Sequence, residues 1–127
     1  MCETKFYICE HCKNIVGKIH DSGVPLVCCG QKMTKLVPNT VDAAGEKHLP
    51  VVEKEGNKVI INVGSVEHPM TEEHYITFIY LATNKGGQRK SLKPGDKPYA
   101  EFILADGEEA TEAYAYCNLH SLWATKL

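Results

Sequence analysis

The chain has 127 residues and a formal net charge of −2, with acidic and basic residues interspersed. That length holds one ordinary domain, or a small metal-stapled domain beside a sandwich-sized one, and the charge balance offers nothing to a nucleic acid or an anionic membrane. No apolar run approaches the roughly 20 residues of a membrane span. Residues 1 to 7 lack an apolar signal core, so the expected location is cytoplasmic. Six cysteines in a reducing compartment argue for metal rather than disulfides.

The first segment, residues 1–37, opens with a β-prone run, Lys5-Phe6-Tyr7-Ile8, leading into Cys9-Glu10-His11-Cys12. Two cysteines separated by two residues form a chelating turn. Asp21-Ser22-Gly23 and Pro25 mark a turn. Ile15 to Ile19 and Leu26-Val27 would supply the apolar positions of a hairpin around it. Cys28-Cys29-Gly30 completes a set of four sulfurs, which suits one tetrahedral metal. Adjacent cysteines cannot form the relaxed knuckle, and Gly30 supplies backbone freedom there. Spacing alone favours structural zinc at such a closed site. A segment this small needs a metal or a partner to stay folded. His11 and His20 are expected in solvent, and Cys2 fits no pairing.

Residues 38–127 are expected to form strands and turns without a helical period. Val51-Val52-Glu53 and Lys58 to Val63 flank a hairpin turn at Glu55-Gly56-Asn57. His74 to Thr83 reads as a long central strand, with Ile76, Phe78 and Tyr80 on one face and Ile79 and Leu81 on the other. Ala100, Phe102 and Leu104 alternate along a strand over Tyr99 to Ala105. Ala113, Ala115 and Cys117 alternate with Tyr114 and Tyr116 along the next. About seven short strands at this spacing fit an immunoglobulin-like β-sandwich. The fold class is therefore mainly β, a small metal-bound β domain followed by that sandwich.

His48, His68, His74, Cys117 and His120 all fall at strand ends or in loops, where binding groups are usually presented. A lone histidine is more often a surface or satisfied core residue than a ligand. Four imidazoles and one thiolate together favour iron, copper or zinc, and number one more than a closed tetrahedral zinc site takes. A six-coordinate metal would keep one position for substrate. The turn after Cys117 can aim backbone N–H groups at its sulfur and tune the potential. Lys47 would place a positive charge beside that position, and Glu46 a carboxylate. Without a metal both are solvated loop charges.

Several motifs, in this order, carry a resemblance: Cys9-x-x-Cys12, Cys28-Cys29-Gly30, Gly45-Glu46-Lys47-His48-Leu49-Pro50, Glu67-His68-Pro69-Met70, Glu73-His74-Tyr75-Ile76 and Cys117-Asn118-Leu119-His120-Ser121-Leu122-Trp123. Over essentially its whole length the chain resembles desulfoferrodoxin, the two-iron superoxide reductase. The resemblance implies a desulforedoxin-like domain with iron on Cys9, Cys12, Cys28 and Cys29, in place of the zinc that spacing favours. It implies a catalytic iron with His48, His68, His74 and His120 as equatorial ligands and Cys117 as the axial one. It also implies one-electron reduction of superoxide to hydrogen peroxide, with Lys47 and Glu46 assisting, a homodimer, and an external electron donor such as rubredoxin. Two rivals stand beside it: a pure electron carrier using only the four-cysteine iron, and a zinc-stabilised sandwich that binds ligands without redox chemistry.

Overall fold

A computed structural model describes residues 4–127. Cys2, expected as an exposed terminal thiol, lies outside the described residues. The chain divides into two compact units, Met1–Val37 and Pro38–Leu127.

In the first unit β1 (Phe6–Ile8), β2 (Ile15–Gly17), β3 (Val27–Cys28), β4 (Gln31–Lys32) and β5 (Thr34–Lys35) make two small sheets. One has the order β2-β1-β5; the other is the β3-β4 hairpin. The hairpin expected between Ile15–Ile19 and Leu26-Val27 does not form. β2 pairs with β1 in the register Phe6↔Gly17, and β3 pairs with β4 through Val27↔Lys32. Ile19 is fully exposed. Apolar identity alone misled here, because both β2 and β3 are recruited by the cysteine turns next to them. Cys29 (φ 53°) and Gly30 (φ 72°) are consecutive left-handed residues between paired Cys28 and Gln31, the backbone of a two-residue primed turn. This is how adjacent cysteines are presented: Cys28 ends a strand and Cys29 turns over the hairpin tip.

The second unit starts with one helical turn, α1 (Gly45–His48), too short to leave a helical period in the sequence. Seven strands follow: β6 (Pro50–Glu55), β7 (Lys58–Val63), β8 (Ile76–Thr83), β9 (Gly86–Ser91), β10 (Tyr99–Ile103), β11 (Ala110–Cys117) and β12 (Ser121–Lys126). They form a three-stranded sheet, β10-β7-β6, and a four-stranded sheet, β12-β11-β8-β9. Side chains from both sheets enclose one core, so the unit is a β-sandwich. Val59, Ile61 and Val63 enter it from β7, Ala100 and Phe102 from β10, and Ala113, Ala115 and Cys117 from β11. The period of two expected for these strands holds.

β8 is central, as its two apolar faces implied, but it begins at Ile76, so His74 precedes the strand rather than opening it. Ile76 also faces the core with Ile79 and Leu81, not the outer face with Phe78. The cause is a register shift: Tyr116 pairs with Phe78 and Cys117 with Ile76, which inserts Thr77 as an unpaired residue and reverses the side-chain alternation. On the outer face Phe78 stacks on Tyr116 at 5.9 Å.

Candidate functional site

The four sulfurs of Cys9, Cys12, Cys28 and Cys29 come together in the first unit, all within 4.8 Å of one another. Cys9 lies just after β1, and its chelating turn closes through Lys13 N–H to the Cys9 carbonyl at 2.8 Å, with Lys13 left-handed. Cys12 Sγ is 3.6 Å from Cys28 Sγ, and Cys28 Sγ is 3.9 Å from Cys29 Sγ. The Cys12 N–H, directed at Cys9 Sγ, holds that thiol down to about 6. Crowding by Cys12 and Cys9 pushes Cys29 up to about 12 and also raises Cys28. Four sulfurs at this spacing cannot all ionise without a cation between them, and a thiophilic divalent metal resolves that conflict. His11 and His20 are exposed, as expected.

In the second unit four imidazole rings form a closed circuit. Centroid distances are 4.7 Å from His48 to His68, 4.6 Å from His68 to His74, 5.1 Å from His74 to His120 and 4.9 Å from His120 back to His48. Neighbouring rings meet edge to face, and the His48–His74 diagonal is longer, 6.3 Å. His48 Nε2 lies 3.1 Å from His120 Nδ1 and 3.2 Å from His68 Nε2. Cys117, completely buried, brings its sulfur to 3.8 Å from His120 Nδ1. Donor atoms of His48, His74, Cys117 and His120 lie within 4.8 Å of one another, and His68 joins through His48 and His74. These donors arrive from separate places: α1, the loop after β7, the approach to β8, the end of β11, and the β11–β12 turn.

The hydrogen bonds behind the rings test whether a metal fits. His48 Nδ1 is 2.7 Å from the Ala44 carbonyl and His68 Nδ1 is 2.7 Å from the Pro69 carbonyl, which assigns the proton of each neutral ring to Nδ1. Both Nε2 atoms then turn lone pairs toward each other at 3.2 Å, a contact that only a shared proton or cation relieves. Burial opposes the proton: it holds His68 down to about 4 and lowers His48 and His74 as well. The buried His74 Nε2 has no hydrogen-bond partner. A metal ion satisfies all three conditions, and the carbonyl tethers are the outer contacts that orient metal-bound imidazoles. Burial pushes the Cys117 thiol up, while the Leu119 and His120 N–H groups directed at its sulfur pull it down. The turn thus aims N–H donors at the sulfur, as its sequence suggested.

Glu46 and Lys47 are exposed in α1, beside buried His48. The Lys47 charge acts on both His48 and His74, disfavouring their protonated forms. The Glu46 carbonyl accepts from Val66 N–H at 2.9 Å and Ser65 Oγ at 3.3 Å, which pins this turn to the segment after β7. Gly64 makes the close approach possible: at φ 85° it would place a Cβ 2.7 Å from the Lys47 carbonyl oxygen. The sequence reading gave no part to Gly64, and it named Asn118 and Trp123 only as members of the 117–123 motif, without a role. Trp123 stacks on His48 at 5.0 Å, 25° from parallel, and donates Nε1–H to the His120 carbonyl at 2.9 Å. The signals for it were its place in that motif and its position three residues after His120.

Known proteins match along the whole length. Residues 40–126 match the family model described as Desulfoferrodoxin, and residues 2–36 match Desulfoferrodoxin, N-terminal domain. A desulfoferrodoxin of Syntrophotalea carbinolica is 50% identical over 120 residues, covering 94% of each chain. A superoxide reductase of Pyrococcus horikoshii is 35% identical over 112 residues, 75% of this chain and 97% of its own. The crystal structure of the superoxide reductase from Treponema pallidum superposes with a TM-score of 0.83 at 40% identity, covering 98% of this chain and all of the other.

Proposed function

This chain belongs to the desulfoferrodoxin family, and from that premise we infer that it is a superoxide reductase, converting superoxide to hydrogen peroxide by one-electron reduction. The observation that carries the inference is the circuit of four imidazoles beside a buried thiolate, with two of its nitrogen lone pairs opposed at 3.2 Å.

In this reading residues 38–127 form the catalytic domain, where His48, His68, His74 and His120 together with Cys117 would hold an iron. Bound there, the iron supplies the electron that superoxide takes up. Carbonyls of Ala44 and Pro69 keep His48 and His68 in the tautomer that presents Nε2. The Leu119 and His120 N–H groups moderate how much charge the Cys117 sulfur donates. Lys47 Nζ, at the exposed rim, draws in the anion and stabilises negative charge before a water-borne proton arrives. The Glu46 carboxylate beside it would offer the oxidised site one oxygen donor in addition to the four nitrogens and one sulfur. Residues 1–37 carry a second iron on Cys9, Cys12, Cys28 and Cys29. A one-electron donor of the rubredoxin kind restores the reduced enzyme, and two copies of the chain pair. A reducing cytoplasm would keep Cys9, Cys12, Cys28, Cys29 and Cys117, none of them in a disulfide, available to the metals. No helix among the described residues is long and apolar enough to cross a membrane.

Metal analysis with a visible spectrum tests the reading. Two irons per chain, with a thiolate-to-iron band that appears on oxidation and is absent from Cys117→Ser, support it. One iron per chain would favour a pure electron carrier, and zinc alone a ligand-binding sandwich.

A further inference from the structure

The four imidazoles are not held alike. His48 and His68 are each turned by a carbonyl, and His120 sits in a tight hairpin whose own carbonyl is held by Trp123. The His74 ring has no hydrogen bond to any described residue, and its Nε2 is buried without a partner. It also precedes β8, so no ladder fixes its backbone. Apart from its edge-to-face contacts with His68 and His120, its ring is aimed by where the main chain on either side is put.

Asn118 puts it there. The regular β11–β8 ladder stops at Cys117↔Ile76. Beyond that point Asn118 continues the pairing with its side chain. Its Oδ1 accepts from Tyr75 N–H at 2.9 Å, its Nδ2 donates to the Glu73 carbonyl at 3.0 Å, and its own N–H donates to the Tyr75 carbonyl at 3.2 Å. A side-chain amide offers one donor and one acceptor, as a peptide unit does, so it can stand in for another rung of the sheet. The two partners bracket His74 in the chain. On the far side Thr71 closes a turn, with its N–H on the His74 carbonyl at 2.9 Å and its Oγ1 accepting from His74 N–H at 3.1 Å.

We propose that Asn118 is a positioning residue for the metal, setting His74 against Cys117 and His120 through its bonds to Glu73 and Tyr75. It lies between those two donors in sequence, so its bonds set His74 in register with both. A residue that only folded the 71–75 turn would change stability and leave the site of the folded protein unaltered. A residue that aims His74 changes how tightly, and in what geometry, a metal is held. The inference rests on the metal reading above.

The test is Co2+ binding by the full chain, stripped of metal and preloaded with one equivalent of Zn2+, which the four thiolates take first. Cobalt at the second site gives a thiolate-to-cobalt band from Cys117 and d–d bands that report coordination number. In Asn118→Ala, at a temperature where circular dichroism shows the chain folded, cobalt affinity falls about 10- to 100-fold and the d–d bands shift toward fewer ligands. Asn118→Asp keeps the acceptor for Tyr75 but loses the donor for Glu73. It falls between wild type and alanine, and it replaces the alanine variant if that does not fold. Placed on His74→Ala, Asn118→Asp lowers affinity no further, because the ligand it aims is already gone. Unchanged affinity and bands in the folded variants overturn the proposal, as does a full additional loss in the His74→Ala background. A wild-type chain that takes cobalt without a Cys117 band overturns it together with the metal reading.

Discussion

Trp123 joins two ligands through two separable contacts, and replacing it separates them. The buried ring stacks on His48, and its N–H holds the His120 carbonyl at 2.9 Å. Trp123→Phe keeps an aromatic face for His48 but removes the hydrogen bond and part of the ring. The lost bond is worth about 0.5–1.5 kcal/mol net, and with the smaller ring the total comes to about 1–2 kcal/mol. For a unit of this size each kcal/mol moves the thermal midpoint by about 4–8 °C. Trp123→Ala forfeits the stack as well and costs about 3–5 kcal/mol. Trp123 is the single tryptophan, so its loss removes the intrinsic fluorescence probe, and far-UV circular dichroism of metal-free protein is the assay. Equal losses in the two variants would mean that the stack on His48 contributes nothing. An unshifted Trp123→Phe would remove the hydrogen bond from the account.

Lys47→Ala slows capture of superoxide, and stopped-flow traces should show the rate losing its dependence on ionic strength. A unit charge about 6 Å from the anion contributes between about 0.7 and 3 kcal/mol as the effective dielectric falls from 80 to 20, or roughly 3- to 100-fold in rate. Lys47→Arg should retain most of the rate, and an unchanged alanine variant would end the role given to Lys47. Gly64→Ala adds a Cβ 2.3 Å from the Val66 carbonyl oxygen and 2.8 Å from that of Glu46, at a φ that already costs about 1–2 kcal/mol for alanine. Its denaturant midpoint falls and its superoxide capture slows with Lys47→Ala; wild-type values in both would show that this turn does not hold Glu46 and Lys47 in place. Asp21 receives Lys18 Nζ at 2.8 Å and Lys5 Nζ at 2.9 Å, and these partners hold its carboxyl well below the usual range. A depressed carboxyl stabilises the fold above its unfolded value, near 4, and loses that contribution as pH falls through the folded value. Asp21→Asn therefore accelerates metal loss from the first unit to a chelator at pH 7, and the difference from wild type shrinks as the solution approaches pH 3. A difference that grows in acid would contradict the sign.

What could be seen in the sequence followed the range of each interaction. The Cys9-x-x-Cys12 turn is local, so spacing alone announced it. The alternation of Val59, Ile61 and Val63, and of Ala113, Ala115 and Cys117, was visible because a half-buried strand repeats every two residues. The grouping of His48, His68, His74 and His120 depends on which strands become neighbours, so spacing could not fix it; their placement at strand ends and in loops suggested it, and the order of the motifs added to that. β9 went unseen because Gly86–Ser91 is a polar, mostly exposed edge strand with no apolar alternation. β12 was hidden because Leu122, Trp123 and Ala124 are buried consecutively, which erases the period. The shift at Thr77 reversed Ile76, and no propensity announces an unpaired residue whose cause lies in the partner strand. Asn118 looked like an ordinary turn residue because the bonds that define it reach 43 and 45 positions back along the chain.

The central claim is that the donors gathered around His48 and Cys117 form a site that reduces superoxide without oxidising it. The direct measurement follows superoxide, reductant and dissolved oxygen together while the fully metallated chain turns over with an excess of a one-electron donor. The account predicts that superoxide disappears with mole-for-mole oxidation of the donor, that hydrogen peroxide accumulates, and that the enzyme evolves no oxygen. Oxygen evolution with the donor left unspent would make the site a dismutase, and persistence of superoxide in the presence of the loaded enzyme would leave it without this reaction.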